Sequence, residues 1–331
     1  MIFRQLLREP LLVALPVCRL TGVFYCNRLK QEGAAMKQQF FGQLLLCVVL
    51  LSIGSASVAS GMPIPDTGQT KCYDNTQEIP CPQPGQDFYG QDAQYGPNLQ
   101  SYTDLGNGVV RDNVSGLEWQ QETAPGTYTW DKAINYCENL TLGGHSDWRL
   151  PTIKELSTLV DSSTPSPGPT INTTFFPNTK ASYYWSSTTP ADYSDIAWVV
   201  YFNRGHVYSY GKSYNFYVRA VRGGQFDNSF IDNGDGTVTD ARTGLMWQQH
   251  TVRQTTTWQQ AIAYCENLTL AGYSDWRLPN RNELQTLVDY NRFNPTIDTT
   301  YFPNTVSSDY WSSTTFAGSP GSAWVVSFYG G

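Results

Sequence analysis

One stretch of this chain is written twice. Residues 130–161 read WDKAINYCENLTLGGHSDWRLPTIKELSTLVD and residues 258–289 read WQQAIAYCENLTLAGYSDWRLPNRNELQTLVD, at a constant offset of 128. The offset holds upstream, where Gly116-Leu117-Glu118-Trp119 matches Gly244-Leu245-Met246-Trp247, and becomes 126 downstream, where Tyr184–Thr189 matches Tyr310–Thr315. A unit this long is a domain rather than a solenoid repeat. The chain therefore reads as two similar domains, residues 102–224 and 230–331, joined by Gln225–Ser229. Its 331 residues suffice for both, and its function has to be one that a duplicated domain serves.

Only 15% of residues are charged, while 14% are aromatic, with 21 Tyr and 10 Trp. Disordered chains show the opposite balance, so this one folds. Tyr and Trp beyond the needs of a core also suggest a recognition surface, because they give rigid contact area at low entropic cost. Residues 1–59 carry a net charge of +4, which leaves −11 on the remainder of a chain whose total is −7. Such an acidic remainder argues against nucleic acid as a partner.

Met36-Lys37, the apolar run Leu44–Ile53 and the small residues Ser57-Val58-Ala59 have the three-part layout of a secretory signal, residues 36–59. The apolar run is too short for a membrane span, so no stable membrane insertion is expected after its removal. Residues 1–35 then read as an extension upstream of the true start at Met36. The expected location is secreted, periplasmic or cell-surface. Cys72 and Cys81, in the Pro-, Gly- and Gln-rich linker 60–101, are expected to form a local disulfide. Cys137 and Cys265 are counterparts in the two copies, read as buried thiols, with a bridge between the domains as the alternative.

Each domain opens with short strands separated by Gly turns. Asp232-Asn233-Gly234-Asp235-Gly236 resembles part of a calcium loop, but the distal Glu is missing and turn chemistry accounts for the glycines. A helix follows, capped by Thr129 or Thr257, with Trp130, Ala133, Ile134, Cys137 and Leu140 on one face. A second helix starts at the capping boxes Thr152–Glu155 and Asn280–Glu283, which gives both glutamates a structural role. Arg149 and Arg277 read as buried ion-pair residues, and Trp185, Trp198 and their counterparts as core. Residues 197–202, 206–210 and 217–222 read as consecutive antiparallel strands, so each domain is α+β. The second copy stops at the counterpart of Gly205, which predicts an open sheet edge and lower stability for that domain.

The order G-L-x-W, W-x-x-A-x-x-Y-C, D-W-R-L-P-[TN]-x-x-E-L, Y-W-S-S-T, A-W-V-V-x-F and V-R-A-V-R resembles the Lcl C-terminal domain family, named for a bacterial collagen-like adhesin. The stretches T-G-Q-T-K-C-Y-D-N and F-Y-G-Q-D-A-Q-Y look like segments that commonly precede this domain. R-L-P-T-x-x-E is more distantly similar to the formylglycine-generating enzymes, and the W-S-S and V-R-A-V-R ends to the variable proteins of diversity-generating retroelements. These resemblances imply two tandem C-type-lectin-like domains. The adhesin member implies binding of sulfated polysaccharide, which the acidity of this chain opposes, although Arg204, Lys212, Arg219 and Arg222 are candidates for a local basic patch.

The expected function is an exported, non-catalytic binding module for an extracellular carbohydrate or protein. Its candidate site is Tyr193, Tyr201, Asn203, Arg204, His206, Tyr208, Tyr210, Lys212, Tyr214, Asn215 and Tyr217, where strand alternation sends one set to the core and the other to solvent. A structural envelope protein is the alternative. An oxidase of the formylglycine-generating type is not expected, because residues 138–264 hold no Cys for its reactive pair. The three histidines are scattered, so no metal or other cofactor is expected.

Overall fold

The computed structural model describes the backbone of residues 3–5 and residues 61–96, 98–252 and 254–331. The expected signal segment, 36–59, and most of the expected extension, 1–35, lie outside the described residues. Strand β1 (Phe3–Gln5) belongs to the sheet of the second copy. An arm follows in which β2 (Cys72–Tyr73) and β3 (Glu78–Ile79) pair antiparallel beside the Cys72–Cys81 disulfide, with Cα atoms 5.0 Å apart.

The first copy runs β4 (Tyr102–Gly106), β5 (Val109–Asp112), β6 (Glu118–Gln120), α1 (Trp130–Glu138), α2 (Ile153–Thr158), β7 (Tyr183–Trp185), β8 (Ile196–Tyr201), β9 (His206–Gly211) and β10 (Val221–Arg222). The second runs β11 (Phe230–Asp232), β12 (Thr237–Asp240), β13 (Leu245–Gln248), α3 (Trp258–Glu266), α4 (Arg281–Thr286), β14 (Asp309–Thr315) and β15 (Ala323–Ser327). Each copy is α+β, with short helices and small antiparallel sheets. In the first copy the sheets are β10-β6-β5-β4 and β7-β8-β9.

Both capping boxes form. Thr152 Oγ1 accepts the Glu155 N–H while Glu155 accepts the Thr152 N–H at 2.8 Å, and Asn280 and Glu283 repeat the exchange. Thr257 caps α3 in the same way with Gln260, whereas Thr129 makes no cap bond and turns to Asp131. Asp232 and Asp235 accept the N–H groups of Gly234 and Thr237, which is turn chemistry. Each helix lays its apolar face on its own cluster of buried side chains, two clusters to a copy. Leu156, Leu159, Val200 and Trp119 lie in one of the first copy, and Ala133, Cys137, Trp148 and Trp185 in the other. Burying such a side chain contributes about 1.5–3 kcal/mol.

Two expectations need correction. Residues 217–222 are not one regular strand; only Val221–Arg222 qualifies. The Tyr217 carbonyl accepts from Trp185, the Val218 carbonyl from Ala124 and the Ala220 carbonyl from Gln120, so the segment crosses between two sheets. In the second copy the expected open edge lies along β15, which pairs with β14 alone among the described residues where β8 also pairs with β9, but the edge along β13 is paired. Phe3 stands opposite Trp247, where Val221 stands opposite Trp119 in the first copy.

The segment expected to be a linker is packed instead. Asn282 Nδ2 donates to the Pro65 carbonyl at 3.1 Å, Asn280 Nδ2 to Asp66 Oδ1 at 3.3 Å and Thr314 Oγ1 to Asp92 Oδ2 at 2.6 Å. Gln69 Nε2 reaches the Thr315 carbonyl at 3.2 Å, and the Ser162 N–H donates to the Thr67 carbonyl at 2.7 Å. Gly68 has φ +80° and lies so close to Asp161 that a Cβ there would sit 2.8 Å from Oδ1. The arm thus fills a groove walled by α4 and β14 of the second copy and by the turn after α2 of the first. The copies also meet directly. Helix α2 packs on α4, its own counterpart, Arg281 donates to the Gly205 carbonyl at 2.9 Å, and Trp198 meets Tyr290 at 5.6 Å.

Candidate functional site

The sheet β7-β8-β9 supports a continuous field of aromatic rings. Its register sets Tyr183 opposite Tyr201, Val199 opposite Tyr208 and Ala197 opposite Tyr210. Cross-strand neighbours of this kind are close enough for their rings to meet. Tyr183 and Tyr201 stack at 4.3 Å and 18°, and Tyr208 and Tyr210 lie edge-on to Tyr183 at 6.2 and 5.0 Å. After β9 the chain turns back, so that Phe216 packs at 5.2 Å from Tyr210 and Tyr214 stacks on Phe216 at 6.0 Å. Beneath the field lie Trp185, Ala197 and Val199, all fully buried. The rings are therefore held from below by the core rather than swinging freely in solvent.

The expected site residues separate into three groups. Tyr193 (54% exposed), Tyr208 (40%) and Tyr214 (57%) present most ring surface. Arg204 and Asn215 are exposed as well, and Tyr201 and Tyr210 are half-buried within the ring field. Lys212 is half-buried, with Nζ 3.9 Å from the Trp130 ring centroid and 2.7 Å from the Ser194 carbonyl it donates to.

The third group lies at the margin of the field or turns from it into the packed interior. Tyr217 packs against the core at 5.5 Å from Tyr184. Asn203 accepts from Ser166 at 3.2 Å and braces a loop. His206 holds Tyr208 through Nδ1 at 2.8 Å, yet its ring lies 4.8 Å from Trp324 of the second copy. Burial, then the Arg281 and Arg204 charges, lower the His206 pKa.

The local basic patch does not form. Arg219 is fully buried, bonded to the Gln120 and Gln121 carbonyls and to Thr179 Oγ1 at 2.7 Å, with Phe176 4.7 Å below. Arg222 is neutralised by Glu118 and Asp147.

Tyr183 and Phe216 complete the field and were missed from sequence. Tyr183 precedes the Y-W-S-S motif, and pairing with Tyr201 across the sheet is what brings it in. Its phenol titrates above the ordinary range, chiefly through the hydrogen bond from the Tyr210 hydroxyl at 3.2 Å and then through burial. Tyr183 therefore stays neutral at physiological pH, and the field offers π-faces ringed by hydroxyl groups.

Thiol chemistry is disfavoured. Cys137 and Cys265 are unbridged and buried, and burial pushes both up to about 12. Among the described residues no group of three His, Cys, Asp or Glu is placed to hold a metal ion, and no helix is long and apolar enough to cross a membrane.

A family model described as the Lcl C-terminal domain matches residues 108–222 and again 236–331. No curated protein matches the chain.

Proposed function

Because the chain belongs to the Lcl C-terminal domain family and carries its domain twice, we propose that it is an exported, non-catalytic binding module with a C-type-lectin-like fold in each copy. Its destination is the periplasm, the cell surface or the medium. Its ligand is an extracellular carbohydrate or protein, met by the tyrosine field of the first copy.

The observation that carries this reading is the stacked set Tyr183, Tyr201, Tyr208, Tyr210, Tyr214 and Phe216, anchored on a buried tryptophan yet open at Tyr208 and Tyr214. Faces of this kind stack on sugar rings or on apolar protein groups, while their hydroxyl tips hydrogen-bond. Preformed rings also reduce the ordering cost of association. With Arg219 and Arg222 already engaged, the field suits a neutral sugar or an apolar protein patch better than a sulfated polymer.

The test is a glycan array together with a panel of matrix proteins, probed with the native chain and with Tyr208→Ala and Tyr214→Ala. Each substitution is expected to weaken binding about tenfold, or about 1.4 kcal/mol. Tyr329→Ala, an exposed tyrosine of the second copy, is expected to leave binding unchanged. Undiminished binding by both field variants would remove the site from consideration.

A further inference from the structure

We propose that a second groove between the two copies is a docking site for an extended acidic peptide of a partner protein, received as the twin groove receives the chain's own arm. This inference uses a surface separate from the tyrosine field and stands independently of it.

The repeat makes the two grooves comparable position by position. In the occupied groove Asn280, Asn282, Thr314 and Thr315 of the second copy face the arm, and the far wall is Asp161 and Ser162 of the first. Exchanging the copies through the offsets of the repeat gives Thr152, Lys154, Thr188 and Thr189, with Asp289 and Tyr290 as the far wall. Those six residues line one cavity of about 800 Å³. The occupied face is buried, with Asn280, Asn282, Thr314 and Thr315 at most 4% exposed. Their counterparts Thr152, Lys154, Thr188 and Thr189 are all partly exposed. The joint between the domains accounts for the difference. Asn228 takes the place of Gln100, each donating to the carbonyl of the second-helix threonine, Thr286 or Thr158. The chain reaches Asn228 directly from the first domain, so no arm precedes it.

The open groove retains the groups that bind the arm. Thr314 Oγ1 accepts the Arg281 N–H at 3.1 Å and gives its proton to the Asp92 carboxylate. Thr188 Oγ1 likewise accepts the Ile153 N–H at 3.0 Å, and its own proton has no acceptor among the described residues. Asn282 donates to the Pro65 carbonyl. At the equivalent position Lys154 spends two of its three N–H bonds on Asn228 Oδ1 (3.1 Å) and the Thr286 carbonyl (2.7 Å).

Charge then selects the occupant. Lys154 has no carboxylate within ion-pair distance among the described residues; Asp289, Asp240 and Asp227 act on it only from farther off. Of the acids lining the groove, Asp289 and Asp298 are held by Arg292, while Asp227 lies at the joint. An ammonium with no carboxylate in contact and one N–H left over has a place for an incoming carboxylate. The arm already presents Asp66 and Asp92 to a face that carries an asparagine there. A face carrying a lysine is better matched to an acidic segment. A second copy cannot supply the segment from its own arm without emptying its own groove, so the occupant comes from a different protein.

The test uses a fluorescently labelled peptide with the sequence of residues 62–70 (MPIPDTGQT), titrated with the full chain and followed by anisotropy. Saturable binding is expected, weakened about tenfold by Lys154→Met, by Thr188→Val, and by an Asp→Asn change in the peptide. Melting curves confirm that the variants are folded. Lack of saturation up to about 1 mM would overturn the proposal. So would binding that ignores both substitutions. Binding that falls with Asn282→Ala instead would mean that the peptide displaces the arm, and binding that falls with Tyr208→Ala would mean that it uses the tyrosine field; either overturns it.

Discussion

Glu283 shows how one carboxylate serves two structural purposes. It caps α4 through the Asn280 N–H at 2.9 Å and grips Arg277 with both oxygens at 2.9 and 2.7 Å, while both side chains are less than 10% exposed. Removing one partner of such a buried pair costs about 3–5 kcal/mol, and that loss is expected for Glu283→Ala in urea unfolding. Glu155→Ala is expected to cost less, because Arg149 keeps 23% of its side-chain surface in water. A loss below about 1 kcal/mol at Glu283 would contradict this account. The structural role of both glutamates was legible from cap spacing alone, since a Thr or Asn three residues ahead fixes the geometry locally. Arg219 was not legible. Val218, Arg219 and Ala220 are all buried because the segment is covered on both sides, so alternation gives no solvent face. Burial lowers the Arg219 guanidinium to about 10, and its hydrogen bonds to backbone carbonyls make it a brace rather than a surface charge.

At the scale of elements the arm is the main departure from expectation. Its composition reads as linker because its partners lie far away in sequence: Asp66 and Asn280 are 214 positions apart, and Asp92 and Thr314 are 222. No local periodicity reports such contacts. The disulfide was legible, since two cysteines separated by nine positions in a chain expected to be exported have few other options. The Cys72→Ser, Cys81→Ser double variant is expected to lose about 2–3 kcal/mol of arm stability by the loop-entropy relation. The check is limited proteolysis within 72–95, which should speed up while cleavage of the first copy does not. The helices and most strands followed from apolar spacing. The tyrosine field was legible only in part, because Tyr183 and Phe216 join it through strand register and a chain reversal.

For the whole molecule, the arm makes cohesion depend on pH. Burial raises the pKa of both Asp66 and Asp92, Asp92 adds to the effect at Asp66, and Glu283 raises both further. Arg277 and the hydroxyl bonds from Thr314 and Thr67 oppose this at Asp92. A carboxylate whose pKa is raised by folding contributes stability that is complete below its unfolded value of 3.8 and is lost as pH climbs toward the raised one. The arm is therefore expected to be held more firmly at about pH 5 than at about pH 9, with Asp66→Asn flattening the profile. Proteolysis of the arm at the two pH values reads this out, and equal rates would contradict it.

The face-to-face packing of α2 on α4, reinforced by Arg281 on the Gly205 carbonyl and by Trp198 on Tyr290, has a consequence for multivalency. Two modules on a slack tether adapt to targets at many separations. Two modules bolted together keep a fixed gauge, so such a molecule discriminates among repeating surfaces by their pitch, as a caliper does.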